Sequence, residues 1–374
     1  MALFLYGTLR SEALLTLTLG ESSRARIQPA QLQDHAVHWA KGHRFPMILE
    51  APGKLAEGLL LSDLSEEDLQ RLDYYEGGFA YSRQTRRVKT EGGAVDASVY
   101  FPDPGQWQVG QPWSLDDWQD RLGAMALRAA AEIMDGYGQI DAATQAGRRS
   151  QIEFHAASWV RAQAEQTPQT VGHGFTKDDV EIVATRRPYG NFFGLTEQDL
   201  RFRRFDGSYS QTIERAGFVT GDAVTVLPYD AARDRVMLVE QFRFGPLLRG
   251  DRHPWSLEPI AGRIDPGEGA EETAMREAQE EAGITLQALE KITGYYPSPG
   301  ANMDYVYAYV GLCDLPDAAI GIGGLESEDE DIRSLLLSFD NLMALVTSGE
   351  AQNALLLISA WWLAANRERL RSDA

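Results

Sequence analysis

The sequence predicts an α+β protein in which two strand-rich domains flank a helical segment. Its 374 residues are about two and a half times the length of a typical domain, which favours two domains. Short strand patterns separated by turn residues occupy residues 1–106 and 176–374. Residues 107–175 carry longer helical patterns. We therefore expect a small first domain, a helical connector and a larger second domain.

The composition narrows the class of protein. A hydrophobic fraction of 44% and a charged fraction of 24% are typical of globular proteins. The net charge of −20 argues against a nucleic-acid partner, which requires basic surfaces. Metal ions could still hold a polyanionic small molecule against such a chain. The single cysteine, Cys313, rules out an internal disulfide, fits a reducing cytosol and predicts a core side chain.

The apolar residues predict neither export nor membrane insertion. The stretch MALFLYGTLRSEALLTLTLGE has no basic region before its apolar run, which breaks at Tyr6 and Gly7. We therefore expect no signal peptide. No run of 18 or more apolar residues occurs in the chain. The prediction is a soluble, cytoplasmic protein with no membrane partner.

The first domain mixes short strands with a helix. ALFLY is a short buried strand closed by Gly7, and VDASVYFP is a late strand stopped by Pro102. SEEDLQRLDYYEG predicts a helix that begins after Ser65, because acidic residues fill its first turn and Leu69 and Leu72 share one face. This mixture predicts a small α+β domain.

Helices and strands then alternate in blocks. SLDDWQDRLGAMALRAAAEIMDGYG and DAATQAGRRSQIEFHAASWVRAQAEQ predict helices that pack against the first domain. AVTVLPYDAARDRVMLVEQFRF predicts two strands around a turn at 230–234, and DYVYAYVGL predicts another strand. AQNALLLISAWWLAANRERL predicts a C-terminal helix, with Trp361 and Trp362 expected in the core.

A cluster of carboxylates stands out in the stretch GRIDPGEGAEETAMREAQEEAGI, residues 262–284. On a helix, Glu280 lies about 60° to one side of Glu277 and Glu281 about 40° to the other. The three carboxylates therefore share one face. Repulsion between like charges costs only ~0.2–0.5 kcal/mol per pair, so a solvated helix face remains an alternative. A site for Mg²⁺, which takes oxygen ligands and shares them with phosphates, would require such a cluster.

The spacing of this stretch resembles the Nudix box in every defined position: Gly262, Glu268, Arg276, Glu277, Ala278, Glu280, Glu281, Gly283 and Ile284. The resemblance implies an α/β/α sandwich with an N-terminal antiparallel sheet, and divalent ions held against a diphosphate. It implies Glu277 and Glu281 as principal metal ligands, with Glu280 and the main-chain carbonyl near Ala261 in support. The implied cofactor is Mg²⁺, with Mn²⁺ as an alternative. Glu268 and Arg276 are expected to form a structural ion pair.

Further features resemble the ADP-ribose pyrophosphatase subgroup of that family. Pro299 follows Gly283 by sixteen residues, although a plain turn explains it equally. EIVATRRPYGNFFGLTEQDLRFRRFDG resembles the N-terminal strands of the subgroup, LVEQFRFG its arginine-bearing strand and GLESEDEDIRS its acidic catalytic loop. The resemblance implies Glu328 as the base that activates water, with Glu330 as the second candidate or as a metal ligand.

The implied substrate is ADP-ribose, cleaved by water to AMP and ribose 5-phosphate. Arg215 and Arg243 match basic positions of the subgroup and could bind phosphate through forked hydrogen bonds. Phe192 or Phe193 could stack on adenine, or both could belong to an ordinary strand. Relatives of this type are homodimers whose N-terminal strands help to build the partner's site, so a homodimer is expected.

The first domain resembles the γ-glutamylcyclotransferase-like (AIG2-like) fold, a small β-barrel. The resemblance rests on LFLYGTLRS and on the segment around LDYYEG, which Tyr81 and Arg83 follow. It implies that backbone N–H groups of the loop Tyr6, Gly7, Thr8 and Leu9 bind a substrate carboxylate. It implies Glu76 as the acid/base for attack by an intramolecular amine. Alternatively, Glu76 only follows the end of a surface helix.

Several alternatives remain open from the sequence. The second domain could hydrolyse another nucleotide sugar, or bind ADP-ribose as a sensor without cleaving it. The first domain could be a cyclotransferase, the main enzyme of the chain, or a binding, regulatory or oligomerisation module. The fusion of the two domains resembles bacterial ADP-ribose pyrophosphatases grouped under tellurite resistance.

Overall fold

The structure is a computed structural model that describes residues 2–77, 81–325 and 330–372. Contacts divide the chain into two compact units. The first comprises Met1–Pro168 with Gly190–Phe192, and the second comprises Gln169–Tyr189 with Phe193–Ala374. None of the helices in these described ranges is both long and apolar enough to cross a membrane.

The first unit contains a closed β-barrel and a layer of helices. Its strands are β1 (Leu3–Leu5), β2 (Arg26–Ala40), β3 (Pro46–Ser62), β4 (Tyr81–Thr90), β5 (Gly93–Pro102) and β6 (Val109–Pro112). Its helices are α1 (Glu12–Leu19), α2 (Glu66–Glu76), α3 (Leu115–Trp118), α4 (Ala124–Asp135) and α5 (Ala142–Ala164), with a π-helical turn at Gln119–Gly123.

The barrel closes because its two long strands pair with each other. The strand order is β3-β1-β5-β4-β2, and β2 pairs back onto β3. Only the β1–β5 pair is parallel among the pairings of this barrel in the described structure. Closure leaves no free edge within the ring, while β6 extends it on β2. The predicted small barrel is confirmed.

Alternation along β1 builds two cores at once. Phe4 points into the barrel, where it packs with Ile48 and Val99. Its neighbours Leu3 and Leu5 point to the opposite face and pack against the helical layer, because successive side chains of a strand alternate. The helical connector therefore completes the core of the first unit, as the sequence predicted.

The second unit contains the remaining elements. Its strands are β7 (Val180–Gly190), β8 (Gly194–Phe202), β9 (Ile213–Val219), β10 (Ala223–Asp230), β11 (Arg235–Phe242), β12 (Trp255–Glu258), β13 (Ile260–Arg263), β14 (Ala288–Tyr295), β15 (Val306–Leu312), β16 (Ile322–Gly323) and β17 (Ile332–Ser338). Its helices are α6 (Phe244–Arg249), α7 (Ala270–Ala282), α8 (Phe339–Ser348) and α9 (Ala354–Ser372).

A mixed sheet forms the middle layer of the second unit. Its main path is β14-β15-β10-β11-β17-β16, with β12 paired to β11 and β13 to β10. Met237 and Val239 of β11 face α7, whereas Val236 and Leu238 face α8 and α9. The alternation buries both faces of the sheet. The predicted α/β/α sandwich is confirmed.

A separate three-stranded sheet, β7-β8-β9, precedes the sandwich. In the described structure of a single chain, no side chain of these strands is buried. Ile182 and Val183 are 59% and 61% exposed. This sheet therefore exposes apolar side chains in the single chain.

The expectation for the paired tryptophans is wrong for one of them. Trp361 is 59% exposed, whereas Trp362 packs partly buried against the core beneath α9. Adjacent positions on a helix point about 100° apart, so only one of the two rings turns to the sheet. Cys313 is buried, as expected.

Candidate active sites

The carboxylate cluster is positioned by a strand, a turn and a helix. The turn uses Gly267 in the left-handed region, at φ +92°. Helix α7 ends at Gly283, which has φ +64° and whose N–H bonds back to the carbonyls of the last turn. A side chain is strained in this region, so glycine ends the helix where the acidic residues stop. Ala274 and Ala278 anchor the adjoining face of α7 in the core.

Two carboxylates of α7 are enclosed by the protein. The side chains of Glu277 and Glu281 are 12% and 3% exposed. Burial raises the pKa of Glu277 to about 7, against the opposing charge of Arg276. Burial and the neighbouring charge of Glu277 raise the pKa of Glu281 to about 8. A cation bound between the two carboxyl groups would therefore favour their ionisation at neutral pH.

Arg276 forms ion pairs with three acidic side chains of this region. Its guanidinium lies 3.1 Å from the Glu268 carboxylate, 2.8 Å from Glu277 and 2.7 Å from Glu280. The expected ion pair between Glu268 and Arg276 is confirmed. Across residues 2–77, 81–325 and 330–372, no three acidic, histidine or cysteine side chains converge on one metal position. In this arrangement Glu277 and Glu280 both pair with Arg276.

The donor set nevertheless fits a hard divalent cation. Enclosed carboxylate oxygens of Glu277 and Glu281, with Glu280 on the same face, are the ligands that Mg²⁺ takes. The N–H of Ala261 donates to Oε2 of Glu281 at 3.4 Å. At Gly262, an added Cβ would lie 1.9 Å from Oε1 of Glu277. Strand β13 thus approaches α7 as closely as a glycine allows.

The acidic loop approaches the same helix. Oε2 of Glu330 accepts a hydrogen bond from the N–H of Leu325 at 3.1 Å. The charge of Glu330 contributes to the raised pKa values of Glu277 and Glu281, after burial. Glu328, the first candidate for the base, lies outside the described residues.

A cavity of about 1060 Å³ opens beside β13. Its walls include Arg243, Trp255, Ala261, Gly262 and Asp304. This volume suits a ligand of nucleotide size. Glu277 and Glu281 approach this cavity at Gly262 and Ala261 of its wall, and Arg243 lines it.

Arg243 is held by a residue that the sequence did not single out. Its guanidinium makes three bonds to Glu258, at 3.1, 3.2 and 2.8 Å. Glu258 is 2% exposed. The fork of Arg243 is therefore fixed in direction, while its side chain remains 41% exposed. No local pattern marked Glu258, because its importance depends on pairing between β11 and β12.

The other predicted substrate residues are not among the residues that line this cavity. Arg215 is exposed on β9 and donates to the carbonyl of Glu214 at 2.9 Å. Phe193 is half-buried, 5.2 Å from the ring of Phe218. Phe192 is 83% exposed, and Pro299 stands on an exposed turn.

The first unit contains a second site at the end of β1. A pocket of about 40 Å³ brings together Tyr6, Gly7, Thr8 and Leu9 with Glu76. Burial raises the pKa of Glu76 to about 7, against the opposing charge of Arg149. The predicted loop and the predicted acid/base therefore meet in the structure, although they are separated by the barrel strands in sequence.

Neighbouring groups order this second site. The hydroxyl of Tyr81 donates to the carbonyl of Pro46 at 2.9 Å. Arg83 pairs with Asp73 at 3.4 Å, and the hydroxyl of Tyr100 donates to Asp73 at 2.6 Å. Arg83 and Tyr100 therefore both bind Asp73.

The raised pKa of Glu76 predicts a pH dependence of stability. Its pKa of about 7 in the folded chain lies above the ordinary value of 4.5. The folded chain therefore holds this proton more tightly, and the free energy of unfolding falls as the pH rises from about 4.5 to about 7. The whole shift corresponds to on the order of 3 kcal/mol.

Thermal unfolding of wild type and Glu76→Gln between pH 4.5 and 8 measures this contribution. We expect the wild type to lose stability relative to the variant across this window, because glutamine cannot ionise. Parallel pH profiles of the two proteins would show that folding does not raise the pKa of Glu76.

Comparison with known proteins supports both domain assignments. Residues 3–120 match a family model described as Gamma-glutamyl cyclotransferase, AIG2-like, and residues 219–356 match the NUDIX domain model. The chain is 36% identical over 206 residues to an ADP-ribose pyrophosphatase of Escherichia coli (strain K12). That alignment covers 55% of this chain and 98% of the relative.

Two further relatives align over a similar share of the chain. An ADP-ribose pyrophosphatase of Haemophilus influenzae is 33% identical over 201 residues, covering 53% of this chain and 92% of the relative. A GDP-mannose pyrophosphatase of Enterobacter sp. (strain 638) is 28% identical over 184 residues, covering 49% and 94%.

An α/β/α sandwich that matches the NUDIX domain model, together with relatives named pyrophosphatases, defines a hydrolase. The chain belongs to the NUDIX family, and it carries an AIG2-like γ-glutamyl cyclotransferase domain at residues 3–120.

Proposed function

We propose that the second unit hydrolyses the diphosphate of ADP-ribose to AMP and ribose 5-phosphate. The observation that carries this proposal is the pair of enclosed carboxylates, Glu277 and Glu281, beside a cavity of about 1060 Å³. Relatives named ADP-ribose pyrophosphatase support the choice of substrate. Water adds to one phosphorus, the bridging P–O bond breaks, and each product keeps one phosphate.

Glu277 and Glu281 would hold the divalent ion, with Glu280 and the carbonyl near Ala261 in support. Mg²⁺ is the proposed cofactor and Mn²⁺ the alternative; either supplies positive charge to the diphosphate and acidifies bound water. The protein contributes the geometry: β13 and α7 hold the ligand oxygens together. Arg276 contacts Glu268 and the carboxylates of Glu277 and Glu280, and so offsets part of their charge.

Proton removal from the attacking water is assigned to the acidic loop. Glu328 is the proposed base, and Glu330 is the second candidate or a further ligand. Support comes from the charge of Glu330, which acts on both Glu277 and Glu281. Arg243, aligned by Glu258, is proposed to bind a phosphate through its remaining N–H groups.

We further propose that the active form is a homodimer. The sheet β7-β8-β9 exposes apolar side chains, and Arg215 and Phe193 stand on or beside it and do not line the cavity of their own chain. A second copy would cover this sheet and could bring Arg215, with Phe192, Phe193 or Pro299, to the substrate. Sedimentation of the full chain tests this: a monomer at micromolar concentration would contradict it.

Release of AMP from ADP-ribose with Mg²⁺ tests the proposed reaction. The matched substrate is GDP-mannose, since one relative is named for it. We expect ADP-ribose to be cleaved with the higher kcat/KM. Faster cleavage of GDP-mannose would move the assignment to another nucleotide sugar. Binding of ADP-ribose without release of AMP would favour a sensor.

A second activity, cyclotransfer in the first unit, is favoured by the environment of Glu76. The loop Tyr6–Leu9 would bind the carboxylate of a γ-glutamyl group, and Glu76 would accept the proton of its α-amine. The amine attacks the γ-carbonyl, a C–N bond forms, the amide C–N bond breaks, and the proton passes to the leaving amine. A pKa of about 7 suits a group that both accepts and donates a proton near neutral pH.

A further inference from the structure

A larger cavity adjoins the small pocket of the first unit. Its volume is about 420 Å³, and Thr8 and Phe45 line both spaces. One wall belongs to the barrel, at residues 42–45 and 106–107. The opposite wall belongs to helices α4 and α5. The cavity is therefore made jointly by the barrel and the helical connector.

The sizes of the two spaces indicate which part of a ligand each can hold. A space of about 40 Å³ admits roughly three water-sized groups, at ~10–15 Å³ each. It can hold the reacting end of a molecule beside Glu76 but not a whole ligand. The adjoining 420 Å³ lies in the range of small-molecule sites, roughly 300–1,000 Å³. The bulk of the ligand must therefore lie between the barrel and the connector.

The barrel wall is aromatic. The rings of His43 and Phe45 stack at 5.1 Å. The ring of Trp107 meets Phe45 edge-on at 5.1 Å and Tyr81 at 5.2 Å. Such a cluster favours a flat apolar group, because ring pairs at these distances add to ordinary apolar burial.

The connector wall adds apolar surface and paired charges. Met125, Ala126 and Ala129 of α4 face the cavity. On α5, Glu153 pairs with Arg44 at 3.1 Å, which links the barrel hairpin to the helix.

Arg149 of α5 places a cation near the small pocket. Its guanidinium donates to the carbonyl of Tyr75 and lies 5.0 Å from the centre of the Tyr75 ring. Its charge also acts on Glu76. The cavity thus offers one arginine, Arg149, next to the reacting end and aromatic rings beyond it, an arrangement that matches an anionic aromatic group.

We propose that this cavity binds the aromatic amino acid of a γ-glutamyl conjugate, with its ring against Phe45 and Trp107 and its carboxylate toward Arg149. This rests on the proposed cyclotransfer, in which that amino acid is the leaving amine. Arg149 and Glu153 lie beyond residue 120, where the family match ends. The proposed site therefore combines aromatic residues of the barrel with charged residues outside the matched region.

Calorimetric binding to the full chain tests the preference. The probes are γ-glutamyl-phenylalanine and γ-glutamyl-alanine, measured on Glu76→Gln so that turnover does not interfere. We expect the phenylalanine conjugate to bind at least fivefold tighter. Adding Trp107→Ala should remove this preference, and adding Ala126→Phe, which fills the cavity, should weaken the phenylalanine conjugate more than tenfold.

Trp159→Ala, added in the same way, is the matched control, because Trp159 is 43% exposed and does not line the cavity; it should leave both affinities unchanged. Equal affinities for the two conjugates, or a preference that survives Trp107→Ala, would overturn the proposal. Failure of both conjugates to bind would also overturn it.

Release of the free amine by wild-type protein separates this inference from the cyclotransfer. A binding preference without release would overturn cyclotransfer and support the cavity as a binding site. Release from both conjugates at equal kcat/KM, with equal binding, would support cyclotransfer and overturn the aromatic cavity.

Discussion

Glu281→Gln is expected to lower the rate of AMP release about a thousandfold. The lost carboxylate would hold the divalent ion, whose stabilisation of charge is worth several kcal/mol, and each ~1.4 kcal/mol is a factor of ten. Glutamine keeps the shape of the side chain. Because Glu281 is 3% exposed and its burial opposes ionisation, the neutral variant should fold as stably as the metal-free wild type.

A thermal-unfolding measurement and a control variant distinguish this loss of activity from a folding defect. Mg²⁺ should raise the unfolding temperature of the wild type, since a bound ion stabilises the folded state, and should raise that of Glu281→Gln much less. Glu76→Gln serves as the control and should release AMP at the wild-type rate. Near-normal AMP release by Glu281→Gln would remove the metal assignment from α7.

Gly262→Ala is expected to lower AMP release by about a hundredfold or more. The new Cβ would lie 1.9 Å from Oε1 and 2.0 Å from Cδ of Glu277, so the carboxyl must move. A shift of about 1 Å at a catalytic centre costs roughly 10²-fold. The substitution therefore tests whether the close approach of β13 and α7 positions Glu277.

Gly269→Ala is the matched control. Gly269 directly precedes α7 and lies four residues before Thr273. A Cβ at Gly269 meets no atom within 4 Å, so this variant should retain AMP release within a few-fold. Mg²⁺ titration of both variants supplies the second readout: Gly262→Ala should bind the ion more weakly, and Gly269→Ala should not. If Gly262→Ala released AMP as fast as Gly269→Ala, with both near the wild-type rate, the position of Glu277 would not limit the reaction.

The carboxylate helix was predictable because its information is local. The period of the helix places Glu277, Glu280 and Glu281 on one face, and Gly283 marks its end. The spacing of the Nudix box added the ion pair of Glu268 with Arg276, which the structure confirms at 3.1 Å. Local chemistry likewise predicted the helix after Ser65, where Ser65 and Asp68 form a reciprocal cap.

Long-range packing supplied what the sequence could not. The partnership of Arg243 with Glu258 depends on strand pairing, and the exposure of Trp361 depends on which face of α9 meets the sheet. The cavity shared by Thr8, Phe45 and Arg149 joins three distant stretches of the chain.

By itself, then, the sequence determined the element types, the acidic helix, the two domain families and the reaction class, because each follows from residues close together or at fixed spacing. The tertiary structure alone decided which carboxylates are enclosed, how Arg243 is aligned and where the connector adds a wall to the barrel's pocket. Burial, and with it the pKa values of Glu76, Glu277 and Glu281, arises from neighbours brought together only by folding.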